Sequence, residues 1–444
     1  MAGAALAGPG LALARNREAD VIVVGAGLSG LAAARQLSVA GVSVLVLEAA
    51  TSIGGRTKLA LLGENVPVDL GAMWIHGWRG NPLTELARAS GADLQKFDWD
   101  SGPTYGSPAR PLDSRQVTAG ADLLERALQF SRSWSEQLSD DAPLSEGFGM
   151  FARNENLDAA DRSVLAAEAY SSVTLDYAAT PAELSAWWWD EGKEFGGGDS
   201  LVRGGLGALA AGLVGNFKVR TGAVVERIDS SGAAPRVALR GGEQLSAAAV
   251  IVTLPLGVLK SGAVRFVPDL PEEKKLAIRR LGFGSYQKTF LLFGSGAEPP
   301  EGPLICERAG DKPWSEWCNL TEFVGAPVLM ALNAGPAARE VEAMSEVEMT
   351  RSAVDALRRF TGLRLPAPRA VLGTRWGSDP FACGAYSFAA VGSGPEQRRA
   401  LGEPLPGGVY FAGEAASVDY PSTAHGALLS GRSVARRVMR DLGG

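Results

Sequence analysis

Residues 19–57 read ADVIVVGAGLSGLAAARQLSVAGVSVLVLEAATSIGGRT, an order that few folds accommodate. Val21-Ile22-Val23-Val24 is an apolar, β-branched run, which reads as a strand of a parallel sheet buried on both faces. Gly25, Gly27 and Gly30 follow in a G-x-G-x-x-G turn that contains Ser29. An alanine- and leucine-rich helix is expected over residues 31–40, then a second apolar strand over 42–47, closed by Glu48. Gly25 permits the tight turn, Gly27 lets a pyrophosphate approach the backbone, and Gly30 lets the helix lie close on the sheet. The unpaired N–H groups of the helix start favour an anion, and Glu48 can accept both hydroxyls of a ribose. Strand, turn, helix, strand and acid in register predict dinucleotide binding; the other reading is a purely structural βαβ unit.

Ile53-Gly54-Gly55-Arg56-Thr57 is a second glycine turn, and Gly55 with Arg56 suits a further phosphate contact. With this turn added, the stretch resembles the flavin-containing amine oxidases: polyamine oxidases, monoamine oxidases and lysine-specific histone demethylases. Members carry G-x-G-x-S-G, a ribose Glu and then GGR. The family often has Arg or Lys two residues after the Glu, where this chain has Ala50.

The resemblance continues along the chain. Ala72-Met73-Trp74-Ile75-His76-Gly77, with Asn81-Pro82-Leu83 after it, is similar to the polyamine oxidase loop that passes the flavin. It implies cofactor contacts at Ala72, Met73 and Trp74 and a substrate-facing His76; a structural histidine is the alternative. Lys288 interrupts an apolar strand over residues 281–294, where an unpaired ion is costly. It matches the family's catalytic lysine, which holds a water at the flavin; snorkelling to solvent is the other reading. Trp376 and Tyr386 match the aromatic residues at the flavin face, with Thr423 at a second cage position, as in the demethylases. Val225 matches a valine packed on the adenine, and Glu414 the acid of the ribityl and pyrophosphate side. Helix-start amides near Thr423 and Ala424 suit an anionic flavin pyrimidine, with Ser422 as N-cap. Ala385 stands where monoamine oxidases have the flavin-bonding cysteine, which implies noncovalent FAD.

Trp187-Trp188-Trp189 is followed by Asp190 and Glu191. One reading is core packing with a solvated acidic turn. The other is a channel wall in which Trp189 and Asp190 meet a cationic amine. Helices are expected over 117–138, 157–170 and 345–360, strands over 218–228, 236–239 and 247–254, and a Pro-Gly loop after 254. The expected fold is an α/β two-domain FAD flavoprotein. A discontinuous Rossmann-like FAD-binding domain (18–80, 200–285 and 390–444) joins a mixed α+β substrate-binding domain (81–199 and 286–389).

The 43 Lys and Arg against 49 Asp and Glu give a net charge of −6, which argues against a nucleic-acid surface. No internal apolar run reaches the roughly 18 residues of a membrane helix. Residues 1–14 resemble the apolar part of a secretory signal or an unstructured leader, so both an exported and a cytoplasmic protein stay open. Three cysteines, Cys306, Cys318 and Cys383, make no metal site. A hairpin turning near Gly310-Asp311 could bring Cys306 to Cys318, as a disulfide or as two free thiols. By resemblance, the chain oxidises an amine C–N bond with FAD, and oxygen becomes hydrogen peroxide. A polyamine is the expected substrate. The alternatives are an L-amino-acid or monoamine oxidase and a non-catalytic flavin-bound scaffold.

Overall fold

The computed structural model describes residues 17–106, 109–308 and 312–443. The amino-terminal leader and the turn at Gly310-Asp311 lie outside the described residues.

A five-stranded parallel sheet carries the glycine turn. Its order is Lys218–Arg220, Val44–Leu47, Val21–Val24, Ala249–Val252 and Val409–Phe411. Val23 pairs with Val46 on one side and Ile251 on the other. Alternate residues serve two separate cores. Val21, Val23, Val46 and Ile251 meet the helices Leu28–Val39 and Ala424–Gly443. Ile22, Val24, Leu47 and Val252 meet Val225, Ile228 and Val237 of a second, mostly antiparallel layer. Both faces are covered, which is why these strands read as unbroken apolar runs. The helix Pro82–Ala89 also packs into the first core, through Leu83 and Ala87.

The expected strand over 218–228 divides into Lys218–Arg220, in the parallel sheet, and Val225–Asp229, in the antiparallel layer. That layer continues as Arg236–Leu239 and Gln244–Ser246, and the chain then returns to the parallel sheet at Ala249–Val252. The segment after Leu254 is a short helix, Leu256–Ser261, rather than a loop: Pro255 precedes it and Gly262 ends it in the left-handed conformation.

The second half of the molecule is built on a seven-stranded sheet. Its order is Ala370–Gly373, Tyr286–Leu292, Val328–Ala334, Glu316–Asn319, Leu304–Glu307, Thr104–Gly106 and Arg110–Pro111. Helices Gly335–Ala343 and Glu346–Thr361 cover one face, the second opened by a Ser345–Glu348 capping box. A helical insertion, Ser114–Ser135, Leu144–Asn154 and Ala159–Ala169, runs into a π-helical turn at Tyr170–Thr174. Cys306 lies opposite Glu316 and Cys318 opposite Leu304, and all three cysteines are free thiols. Among the described residues, no helix is long and apolar enough to cross a membrane.

Candidate active site

A cavity of about 1520 Å³ joins the two halves of the molecule. That exceeds the ~300–1,000 Å³ of a single small-ligand site. One end lies at the carboxyl ends of the parallel strands, where ligands of such sheets bind.

Gly25, Gly27, Ser29, Glu48, Gly55 and Arg56 line that end, with Val225 and Glu414. Gly25 has φ +106°, and a Cβ there would stand 2.6 Å from Thr253 Oγ1. Gly30 does not line the cavity; a Cβ on it would lie 1.9 Å from the Gly25 carbonyl oxygen, so its role is close packing under the turn. Glu48 accepts from the Ala26 amide at 2.7 Å and the Ala50 amide at 2.8 Å, one on each oxygen. The carboxylate is thereby fixed, and each oxygen keeps a lone pair for a hydroxyl. Arg56 donates to Glu414 at 2.9 Å and to the Ala385 carbonyl at 2.8 Å.

The residues fit a dinucleotide. Beside Gly27 a Cβ would meet nothing nearer than Gly54 O at 4.0 Å, so any side chain there would occupy the cradle itself. Helix Leu28–Val39 starts with no side-chain cap, and Ser29 Oγ is a buried polar atom without a partner among the described residues. Trp74 Nε1, further along the cavity wall, is a second such atom.

Midway lies Lys288, 4% exposed, on the face of its strand that turns from the helix layer. Its Nζ donates to Gly71 O at 2.7 Å and Asp69 O at 3.4 Å, and stands 5.0 Å from the Trp74 ring centroid. It does not snorkel. Burial brings its pKa down to about 8 against the opposing pull of Asp69. Burial pushes Asp69 up to about 6, against the opposing pull of the Gly207 and Leu206 amides that it accepts from and of Lys288. Ala72, Met73, Trp376 and Tyr386 surround this point. Trp376 donates to Leu70 O at 3.0 Å, and the Tyr386 hydroxyl to Asp176 O at 3.0 Å.

Thr423 and Ala424 also line the cavity. The helix cap is Thr423, not Ser422: Thr423 Oγ1 accepts from the Gly426 amide at 3.0 Å. Ser422 has φ +65° and donates instead to the Ser387 carbonyl. His425 is buried and brought down to about 4, first by burial, so it stays neutral.

Beyond Lys288 the wall becomes acidic. His76 is 56% exposed at its side chain, onto the cavity. Its Nδ1 lies 2.8 Å from Asp199, which also accepts from Trp99 Nε1 at 3.0 Å. Strand register makes this pair: Trp74 faces Leu201 and Ile75 faces Ser200, which leaves His76 opposite Asp199. Desolvation inside the cavity opposes protonation of His76, yet Asp199, Asp176 and Glu194 lift it above its usual value. Asp176 follows the π-helical turn and faces the same space; burial pushes it up to about 7.

Asp190 lines the cavity but is ion-paired to Arg132 of the insertion, and the Arg132 guanidinium lies 5.4 Å from the Trp189 ring. Trp189 is a core residue with one edge on the cavity. Glu191 is bound by Arg398. The expected free acids of this turn are therefore neutralised, because helix Ser114–Ser135 and helix Pro395–Gly402 each bring an arginine to them. Asp176, Glu194 and Asp199, the last paired with His76, also line the cavity and carry no motif. Only the strand pairing of Asp199 offered a signal.

The family described as flavin containing amine oxidoreductase matches residues 28–439. Lysine-specific histone demethylase 1 homolog 1 of Arabidopsis thaliana is 35% identical over 446 residues, covering 95% of this chain and 52% of its own length. The chain thus spans about half the length of the first such relatives. Polyamine oxidase 2 of Arabidopsis thaliana is 32% identical over 430 residues, covering 94% of this chain and 87% of its own. A solved putrescine oxidase variant, redesigned in its cofactor binding, superposes with a TM-score of 0.76 at 19% identity, over 96% of this chain and 100% of its own.

Proposed function

The chain belongs to the flavin-containing amine oxidoreductase family, and from that premise we propose that it is an FAD-dependent oxidase of di- or polyamines. When bound, FAD supplies the two-electron oxidation of an amine C–N bond and passes the electrons to oxygen as hydrogen peroxide. The chain's own residues bind, orient and exclude water. The glycine turns, Ser29, Glu48 and Arg56 hold the adenosine and pyrophosphate side. Lys288 holds a polar atom at the reacting end, while Trp376 and Tyr386 flank the carbon to be oxidised. Binding is noncovalent: the wall here is Ala382 and Ala385, and the Cys383 thiol donates to Pro380 O.

The observation that carries the substrate class is the acidic wall past Lys288, where Asp176, Glu194 and Asp199 face open space around one imidazole. An alkylammonium held there leaves another nitrogen of the same chain, uncharged, beside Lys288. The carboxylate clamp of an amino-acid oxidase would need a free arginine. Arg375, next to Trp376 in the chain, instead donates to the Glu342 and Met344 carbonyls. Peroxide release on a panel of diamines, polyamines, acetylated polyamines, monoamines and amino acids tests the reading. Turnover of an amino acid with every di- and polyamine inert would overturn it.

A further inference from the structure

Arg398 is a buried cation that the reaction does not use. It lies on helix Pro395–Gly402, and its side chain is 1% exposed. Its Nε donates to Glu191 Oε1 at 2.5 Å, and its Nη1 to Ser387 Oγ at 2.7 Å and to Ala415 O at 3.3 Å. Ser387 Oγ reaches Glu414 Oε2 at 2.6 Å, and the other oxygen of Glu414 accepts from Arg56. Two carboxylates and two guanidiniums thus alternate inward from Glu191 to the glycine-turn end of the cavity.

The direction of these bonds is forced. Arginine has donors only, so the Ser387 hydroxyl must accept from Arg398. Its single proton is then free to point at Glu414, which must be an acceptor there. From this we propose that Arg398, with Glu191 as counter-ion, is a positioning residue: through Ser387 it holds Glu414 as an ionised acceptor aimed at Arg56, and so sets the charge of the wall that receives FAD. The proposal rests on the flavin reading above.

Three groups face Glu414 besides Arg398: Arg56 from the glycine turn, Ser387 from the strand Ser387–Phe388, and the Tyr386 phenol. Burial alone would raise Glu414. Arg56, Ser387 and Arg398 together bring it below the usual carboxylate range. Without Arg398 one of those cations is gone and Ser387 is no longer oriented, so Glu414 takes up a proton at higher pH.

The test equilibrates holoprotein at a series of pH values, filters it and measures released FAD. Arg398→Met is expected to weaken FAD binding at neutral pH by about tenfold or more and to move the release midpoint upward. Arg398→Lys, which keeps the charge, returns the midpoint towards wild type. A folded Arg398→Met protein with wild-type affinity and midpoint overturns the proposal. Should that variant not fold, Ser387→Ala decides, since it cuts the link and leaves both ion pairs. A raised midpoint supports the proposal, and an unchanged one overturns it. Failure of the wild-type protein itself to hold FAD removes the flavin reading and this proposal together, a result distinct from either variant's.

Discussion

Lys288 sits near 8 because burial strips water from its ammonium more than Asp69 compensates. In the unfolded chain it returns to about 10.4, so between these values the unfolded state binds more protons and stability rises with pH. Lys288→Met lacks that penalty. We expect it to melt higher than wild type at pH 7, the gain shrinking as pH passes from 8 towards 10.4. Turnover should fall about 10²-fold or more. Stopped-flow traces of flavin reduction and reoxidation will tell which half-reaction loses the lysine, and near-normal rates in both would leave it no catalytic part. Asp176 poses the opposite sign. Burial holds it at about 7, so its negative charge appears only as pH rises through that value. The kcat/KM for a polyamine should therefore climb across pH 7. Asp176→Asn should lack that limb and raise KM about tenfold, ~1.4 kcal/mol, with kcat little changed.

At the scale of elements, the two helices on one face of the parallel sheet share an apolar core, and at Gly431 they approach until backbone meets backbone. A Cβ added at Gly431 would lie 2.0 Å from the Ser29 carbonyl oxygen. Gly431→Ala must push the carboxy-terminal helix away from the glycine-turn helix, which should cost ~1–3 kcal/mol and be read as a lowered Tm with weaker FAD retention. The glycine-turn helix was legible because its glycines, apolar strands and acid are local and periodic. Lys288 was legible because an ion inside an apolar strand contradicts its surroundings. Neither open reading of Asp190 and Glu191, a solvated acidic turn or acids on a channel wall, foresees their ion pairs, because what decides whether an acid is free is the partner that packs onto it. Arg132 and Arg398 arrive from 58 positions before Asp190 and 207 after Glu191. Ser422 lost the cap to Thr423 through backbone geometry, since a residue with positive φ does not present its oxygen to the helix behind it.

For the whole molecule, the proposed FAD site draws on residues 25–56, 223–225 and 413–424, brought together by the parallel sheet and the four-stranded sheet packed on it. Bound FAD should therefore act as a cross-brace. At about 100 times its Kd it adds ~2.7 kcal/mol, visible as a higher Tm for holoprotein than for deflavinated protein. Acid precipitation should leave a colourless pellet and a yellow supernatant; a coloured pellet would mean a covalent bond. The strand Val409–Phe411 bears on how this protein is made. Its place in the parallel sheet is beside Ala249–Val252, some 160 residues earlier in the chain, and Glu414 and Thr423 come soon after it. While a ribosome still holds residues 409–424, one wall of the proposed cofactor site does not exist. Flavin capture therefore waits for that strand to emerge, and until it does the growing chain must keep an open sheet edge from pairing with its neighbours.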